Sequence, residues 1–173
     1  SGMVHVASLD QPARRWQWAS ELRWPAPKAF SPDGKQLVLS GQEGEKALEL
    51  REVETGKLIL HSDFRIVTSG DIMDHKPPVR FADGGRRLVA ARQRRGNVTQ
   101  AAFWDLTRPE QPPVLFHERG PLTDLGVSPD GRWVAVCTQA GIAVVFEAAS
   151  MTRRHELPGS MQAVFSVAFS PDS

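Results

Sequence analysis

The residues with the most reactive side chains are few and scattered along the chain. Among 173 residues there is one cysteine, Cys137, and there are five histidines, namely His5, His61, His75, His117 and His155. The histidines lack the spacing of zinc ligands, and no Cys-x-x-Cys pair accompanies them. Cys137 follows the apolar run 133–136, which favours a buried structural thiol over a nucleophile. The sequence also lacks a Gly-x-Ser-x-Gly elbow and a phosphate-binding glycine loop. We therefore predict no catalytic residue, no metal site and no cofactor.

Four aspartates, by contrast, recur at a regular interval. They lie in the segments Phe30–Gly34, Phe81–Gly85, Val127–Gly131 and Phe169–Ser173, whose first residues are 51, 46 and 42 residues apart. Acid–base chemistry has no need of such a period, whereas a tight turn in a repeat does. In a Pro-Asp-Gly turn, Pro presets φ, Asp bonds the nearby backbone and Gly adopts a positive φ. We interpret Asp33, Asp83, Asp130 and Asp172 as turn residues.

Short β-rich stretches surround each of these turns. Leu37–Leu39, Leu88–Ala90 and Trp133–Val136 follow the turns, and a second stretch such as Ile142–Phe146 comes after a glycine-containing gap. This pattern predicts an all-β fold with four antiparallel strands, a to d, per repeat. The predicted strands are 26–31, 35–40, 46–53 and 57–63, then 78–82, 86–92, 99–106 and 112–117, then 123–128, 132–138, 141–147 and 152–157.

The repeat resembles the WD-repeat family of β-propellers. Trp104-Asp105 ends a predicted c strand, Leu50–Lys57 is similar to the family's c-to-d stretch, and Val164–Asp172 is similar to its a strand and turn. The family's buried Asp-His-Ser/Thr-Trp network cannot be assembled in any repeat, because this is the only Trp-Asp pair. We therefore expect divergent, bacterial-type blades; propellers of the TolB type and of prolyl-peptidase-like enzymes share the turn. Of the five tryptophans, we expect Trp104 and Trp133 to pack between blades, while Trp16, Trp18 and Trp24 fit either a core or an exposed patch.

The predicted organisation is a partial propeller of about three complete blades with partial blades at both ends. Residues 1–3 read as a tag remnant, 4–24 as strands c and d of a partial blade, 25–64 as blade 1, 65–76 as a long d–a connection, 77–119 as blade 2, 120–159 as blade 3, and 160–173 as strand a of a truncated blade. Blades without neighbours expose apolar faces and strand edges. We therefore expect self-association through the open blade edges, or a fragment of a larger propeller.

A partner-binding face is predicted where the loops are longest. The d–a connection 65–76 and the b–c loop 93–98 lie on the same face of a blade meander, and loops on a rigid scaffold commonly carry binding sites. Arg86, Arg87, Arg92, Arg94 and Arg95 form the one local excess of charge, which suits either a solvated strand and loop or an edge that binds phosphate or acidic peptide. The predicted site residues are Asp71, Asp74, His75, Arg94 and Arg95.

The resemblance implies a non-enzymatic scaffold that binds proteins or peptides, because most WD-repeat domains assemble partners. The alternatives are an accessory propeller of an enzyme, such as a peptidase or kinase fusion, and a periplasmic propeller of the TolB type. Lys and Arg number 21 and Asp and Glu 20, so the formal net charge of +1 predicts neither nucleic acid nor a membrane as partner. A single cysteine fits a reducing compartment, so we expect a cytoplasmic protein, or a periplasmic one if a leader precedes the sequence.

Overall fold

The computed structural model describes residues 2–10, 13–22, 24–41, 48–64, 79–94, 98–159 and 163–172. The chain divides into two compact units, Ser1–Arg65 and Ile66–Ser173. Both units are built from antiparallel β-strands, and the only helical element in the described part of the chain is a short 3-10 turn at Asp83–Gly85. The predicted all-β fold is confirmed.

The first unit contains a two-stranded and a four-stranded sheet. The pair consists of β1 (Gly2–Ala7) and β2 (Arg15–Ser20). The four-stranded sheet, blade 1, follows chain order with β3 (Ala26–Phe30), β4 (Gln36–Ser40), β5 (Leu48–Glu52) and β6 (Leu58–Ser62).

The second unit contains two further four-stranded sheets in chain order. Blade 2 consists of β7 (Val79–Ala82), β8 (Arg87–Arg94), β9 (Val98–Asp105) and β10 (Val114–Arg119). Blade 3 consists of β11 (Leu122–Val127), β12 (Trp133–Thr138), β13 (Ile142–Glu147) and β14 (Thr152–Pro158). Each strand predicted for the three blades is present. The largest shift is in β10, which begins at Val114 because Pro112 and Pro113 have no N–H to donate to the ladder.

Backbone irregularities support the internal repeat. In blades 1 and 3 the a–b pairing shifts register near the start of strand a, at Pro27/Ala29 and Leu122/Asp124. The c–d pairing of the same blades shifts in mid-strand, at Leu50/Arg51 and Val145/Phe146. Bulges at equivalent positions locally increase strand twist, so the two blades share their shape as well as their strand order.

The Ser-Pro-Asp-Gly turns have the chemistry expected from sequence. Ser31 Oγ donates to Asp33 Oδ1 at 2.5 Å, and Lys35 N donates to the same oxygen at 3.1 Å. In the third blade, Asp130 Oδ1 accepts from Ser128 Oγ at 2.5 Å and from Arg132 N at 2.9 Å. These hydrogen bonds lower the pKa of both aspartates, which favours the ionised form. The interpretation of Asp33 and Asp130 as turn residues is confirmed.

An apolar core joins blades 2 and 3. The Phe103 and Phe116 rings of blade 2 lie 5.2 and 4.6 Å from the Phe146 ring of blade 3, between centroids. Phe103 and Phe146 are fully buried. Small and branched side chains fill the space around the rings, among them Ala91, Ala101, Leu125, Val134, Val136 and Val144.

The first unit joins its two sheets with a different kind of cluster. Trp16 and Trp18 of β2 pack against a small apolar core, and the Trp18 Nε1 donates to Val53 O at 3.1 Å. Beside them, Glu49 Oε2 accepts from Arg51 Nε at 2.7 Å and from Ser20 Oγ at 2.9 Å. Glu49 is fully buried, so this interface encloses an ion pair. Trp16 and Trp18 are therefore core residues.

Candidate functional site

Most of the predicted partner-binding residues lie outside the described residues. This applies to Asp71, Asp74, His75 and Arg95. Arg94 is the last residue of β8, where its backbone pairs with Val98, and its side chain is not described. The predicted partner-binding face stays a prediction.

The structure does describe a polar row next to Arg94. Arg92, Gln100 and His117 pair across three neighbouring strands of blade 2. Arg92 Nε donates to Gln100 Oε1 at 2.8 Å, and Gln100 Nε2 lies 2.8 Å from His117 Nε2. These contacts hold the Arg92 side chain in place on blade 2.

Two other arginines of the sequence cluster have internal partners. Arg86 Nη2 contacts Asp83 Oδ1 at 2.6 Å, and Arg87 Nη1 contacts Asp105 Oδ1 at 2.5 Å. Arg87 Nη2 also donates to Ala149 O of blade 3 at 2.9 Å. Arg86 therefore pairs within its own turn, whereas Arg87 connects blade 2 to blade 3.

Asp105 of the Trp-Asp pair uses this arginine instead of the family network. Thr107 donates to its carboxylate through both Oγ1 and N, which lowers the pKa of Asp105, and Arg87 adds a smaller lowering. Trp104 is buried beside it, as expected. The turns of the two blades also join directly, since Asp83 N donates to Gly131 O at 2.6 Å. Sequence reasoning missed these contacts between blades 2 and 3. The repeat itself nevertheless predicts that Arg87 and Asp105 lie at adjoining strand ends.

Blade 3 has one face in the apolar core and another that carries exposed side chains. The pairing of Ala135 with Val145, and of Val145 with His155, places these residues on the face opposite Phe146. Leu157 lies on this same face and is 52% exposed. We call this surface the open face. It consists of the exposed His155 and Leu157, the partly buried Trp133, and the buried Ala135 and Val145.

Aromatic and basic groups cover one end of the open face. The rings of Trp133 and His155 are 6.2 Å apart, between centroids, and the Arg132 guanidinium carbon lies 4.9 Å above the Trp133 ring. Trp133 is partly buried on the open face, where it contacts His155 and Arg132, and it is not part of the core between blades 2 and 3. Trp24 in the first unit is 60% exposed.

The segment after blade 3 lies along the inner edge of the open face. Thr123 Oγ1 donates to Val164 O at 2.5 Å, while Asp124 Oδ2 accepts from Ser166 Oγ at 2.8 Å and from Val167 N at 3.1 Å. We call residues 163–169 the docked segment. Within the described residues this segment has no strand pairing, so the predicted strand a is not formed as a strand here. Hydrogen bonds with blade 3, including Val164 N to Thr138 O at 3.3 Å, hold the segment instead.

Cys137 lies on the same side of blade 3 as the docked segment. It pairs with Asp124 across the sheet and is fully buried. Burial raises the pKa of the Cys137 thiol to about 11, and the Asp124 carboxylate contributes in the same direction. The thiol is therefore protonated near neutral pH, as expected for a structural cysteine.

The described residues contain no group of three or more His, Cys, Asp or Glu side chains placed to hold a metal ion. Over the same part of the chain, no helix is both long and apolar enough to cross a membrane.

Comparison with known proteins finds similarity to a WD-repeat protein from two organisms. Over 119 residues, 68% of this chain, the sequence is 29% identical to WD repeat-containing protein 1 of Bos taurus. The match to WD repeat-containing protein 1 of Rattus norvegicus has the same identity and extent. The match spans 20% of each relative, so the chain corresponds to about a fifth of their length. No family model matches the chain.

Proposed function

We propose that this run of WD-repeat-like β-propeller blades is a non-enzymatic scaffold that binds proteins or peptides. The observation that carries the proposal is the asymmetry of blade 3. One of its faces is buried in the aromatic core of the second unit, whereas the open face leaves Leu157 52% exposed. Phe165 of the docked segment is 74% exposed. Exposed apolar groups bordered by charged ones mark interaction surfaces.

The scaffold role is supported by how the blades are held. Each turn of the Ser-Pro-Asp-Gly type closes on its own hydrogen bonds, and neighbouring blades are joined by both the aromatic core and Arg87. A rigid frame of this kind positions loops at little entropic cost. The one thiol of the chain is buried and protonated, which supports a role without covalent chemistry.

Two surfaces are included in the proposal. The first is the loop surface of blade 2, with Arg94, Arg95, Asp71, Asp74 and His75, for a protein or peptide partner. The second is the set of open blade edges, for self-association. A reducing compartment such as the cytoplasm suits a lone buried thiol and completes the proposal.

The loop surface is tested by Arg94→Ala/Arg95→Ala in the full chain. Proteins captured from a cell extract by the tagged wild-type chain are compared quantitatively with those captured by the variant. We expect partner capture to fall about tenfold, as when contacts worth about 1.4 kcal/mol are lost.

The matched control is Arg86→Ala/Arg108→Ala, which removes the same charge at the opposite end of blade 2. Arg86 is largely exposed and its surface ion pair adds little stability. Capture by the control should stay close to wild type. Equal capture by Arg94→Ala/Arg95→Ala and wild type would remove the loop surface from the proposal.

A further inference from the structure

The docked segment runs parallel to the neighbouring strand. Val164 lies at Thr123, Val167 at Asp124, and Val167 and Phe169 both lie over Gly126. The docked segment and β11 thus run in the same direction, from the end of blade 3 at Thr138 towards the turn at Ser128. This is the placement expected for the innermost strand of another blade.

The hydrogen bonds that hold the segment are directed mostly at its backbone. Thr123 Oγ1 donates to Val164 O, Val164 N donates to Thr138 O at 3.3 Å, and Asp124 Oδ2 accepts from Val167 N. One side chain, Ser166, adds a hydroxyl donor to the same carboxylate oxygen. The acceptor site on blade 3 therefore recognises an extended backbone with a hydroxyl at one position.

Gly126 shapes the acceptor site for apolar side chains. A Cβ built on Gly126 would lie 2.9 Å from Val167 Cγ1 and 3.5 Å from Phe169 Cε2. Unlike the turn glycines, Gly126 does not have a positive φ, so its backbone conformation would admit other residues. The close approach of Val167 is the reason that a side chain does not fit here.

We propose that this acceptor site also takes the docked segment of a second copy of the chain, which gives a dimer with exchanged segments. The inference rests on the self-association included in the proposed function. A second copy carries the one sequence that the site is seen to fit, and exchange recreates each of these contacts between chains. Exchange of an identical element is a low-cost route to dimers.

The open face provides the additional stabilisation that an exchanged dimer needs. A segment tethered to its own blade has an effective concentration in the millimolar range, which favours docking within one chain. Leu157 of blade 3 and Phe165 of the docked segment are 52% and 74% exposed, so both have apolar surface that a second chain can cover. Burial of this apolar surface between copies offsets the advantage of docking within one chain, so the dimer forms as protein concentration rises.

The proposal is tested with two single-cysteine chains, both carrying Cys137→Ala. One carries Gly126→Cys and the other Val167→Cys, and the two are mixed and oxidised. The distance of 2.9 Å from a Cβ at position 126 to Val167 Cγ1 is compatible with disulfide geometry. We expect a mixed disulfide dimer on a non-reducing gel, with a yield that rises with protein concentration.

The control and the contradicting outcome come from the double variant Gly126→Cys/Val167→Cys in one chain. An intrachain disulfide in this variant, together with no mixed dimer from the two single variants, would show that only the chain's own segment docks, and would overturn the proposal. Absence of both disulfides would overturn it as well, since the acceptor site would then be empty. Oxidation of each single variant alone gives the background.

A second measurement separates the acceptor site from general disulfide chemistry. Asp124→Ala in the Gly126→Cys chain removes the acceptor of two hydrogen bonds, and the initial rate of mixed disulfide formation should fall about tenfold. Asp130→Ala, which changes a turn aspartate of the same blade, should leave that rate unchanged. Equal rates for both would contradict the assignment of Asp124. The Arg94→Ala/Arg95→Ala capture experiment does not involve this site, so either proposal can fail without the other.

Discussion

The two units differ in the buried groups at the centre of the contact between their sheets. In the first unit, β2 and blade 1 meet through Trp18, the Arg51–Glu49 ion pair and the hydroxyl of Ser20. In the second, blades 2 and 3 meet through an apolar cluster centred on Phe146. Strand alternation selects which residues point into an interface, but it does not determine whether they are polar or apolar.

The difference has consequences for stability. Burial of apolar rings is directly favourable, whereas a buried ion pair must first overcome the desolvation of both charges. Glu49 Oε1 is buried and has no hydrogen-bond partner among the described residues, which adds to that cost. We therefore expect the second unit to be the more stable of the two. Urea unfolding followed by pulsed hydrogen exchange reads strand peptides from each unit separately and checks this.

The largest effect is expected from Phe146→Ala in the second unit. Phe146 is fully buried against two other rings, and removal of such a ring lowers the free energy of unfolding by about 3–5 kcal/mol. The loss should appear in peptides of blades 2 and 3. Phe165→Ala, at an exposed ring, is the control and should change stability by less than about 0.5 kcal/mol. A similar small loss for Phe146→Ala would contradict the description of this core.

Arg51→Ala tests the polar interface of the first unit. It leaves the Glu49 carboxylate buried without its guanidinium partner, and we expect a loss of about 3 kcal/mol in that unit. The double variant Glu49→Leu/Arg51→Met replaces both charges with apolar groups and should recover most of this loss. If the double variant is as unstable as the single one, the pair contributes more than charge compensation.

A matched pair of glycines isolates the tryptophan contact in the first unit. Gly34 and Gly56 have nearly the same backbone, with φ of 70° and 71°. A Cβ at Gly34 meets nothing within 4 Å, whereas one at Gly56 would overlap the Trp18 side chain. Gly56→Ala should therefore cost about 1–3 kcal/mol more than Gly34→Ala, measured by urea unfolding. Equal costs would mean that Trp18 does not pack on the turn.

The smallest expected difference between the two units is in how much stability each loses at acid pH. In the second unit, hydrogen bonds lower the pKa values of Asp105, Asp130 and Glu147. In the first unit, hydrogen bonds lower the pKa of Asp33. A lowered pKa gives stability that is complete above the ordinary carboxyl pKa and is lost as the pH falls through the lowered value. Burial raises the pKa of Glu118, which has the opposite sign and reduces the difference.

We expect the second unit to lose more stability than the first as the pH falls below the ordinary values of 3.8 for aspartate and 4.5 for glutamate. Urea midpoints of the two units, compared between neutral and acid pH, measure the difference. An Asp130→Asn variant should reduce the pH dependence of the second unit. A first unit that is more acid-sensitive than the second would contradict the assignment of these pKa shifts.

Much of the fold could be predicted from sequence because its determinants are local. The turn at Ser128–Gly131 sets the position of β12, and the predicted strand 132–138 differs from Trp133–Thr138 by one residue. The interfaces could not be predicted in the same way, because Glu49 and Arg51 alternate with leucines as many surface charges do. The available signal that Glu49 and Arg51 belong to an interface was their inward position in a predicted c strand.

The contacts of the docked segment at the candidate site could not be predicted from local sequence patterns either. Val164–Asp172 was identified by its similarity to a blade strand, yet the contacts of Thr123 and Asp124 with it follow from a parallel placement that no local pattern encodes. Gly126 carries no sequence signal either, because its role depends on a segment about forty residues away.

The solution mass of the chain, measured by light scattering during size exclusion, tests the central claim most directly. The account predicts a mass that rises with concentration towards twice that of the chain, because blades with an open face associate and cover it. A mass equal to one chain at every concentration would contradict self-association and the exchanged dimer together.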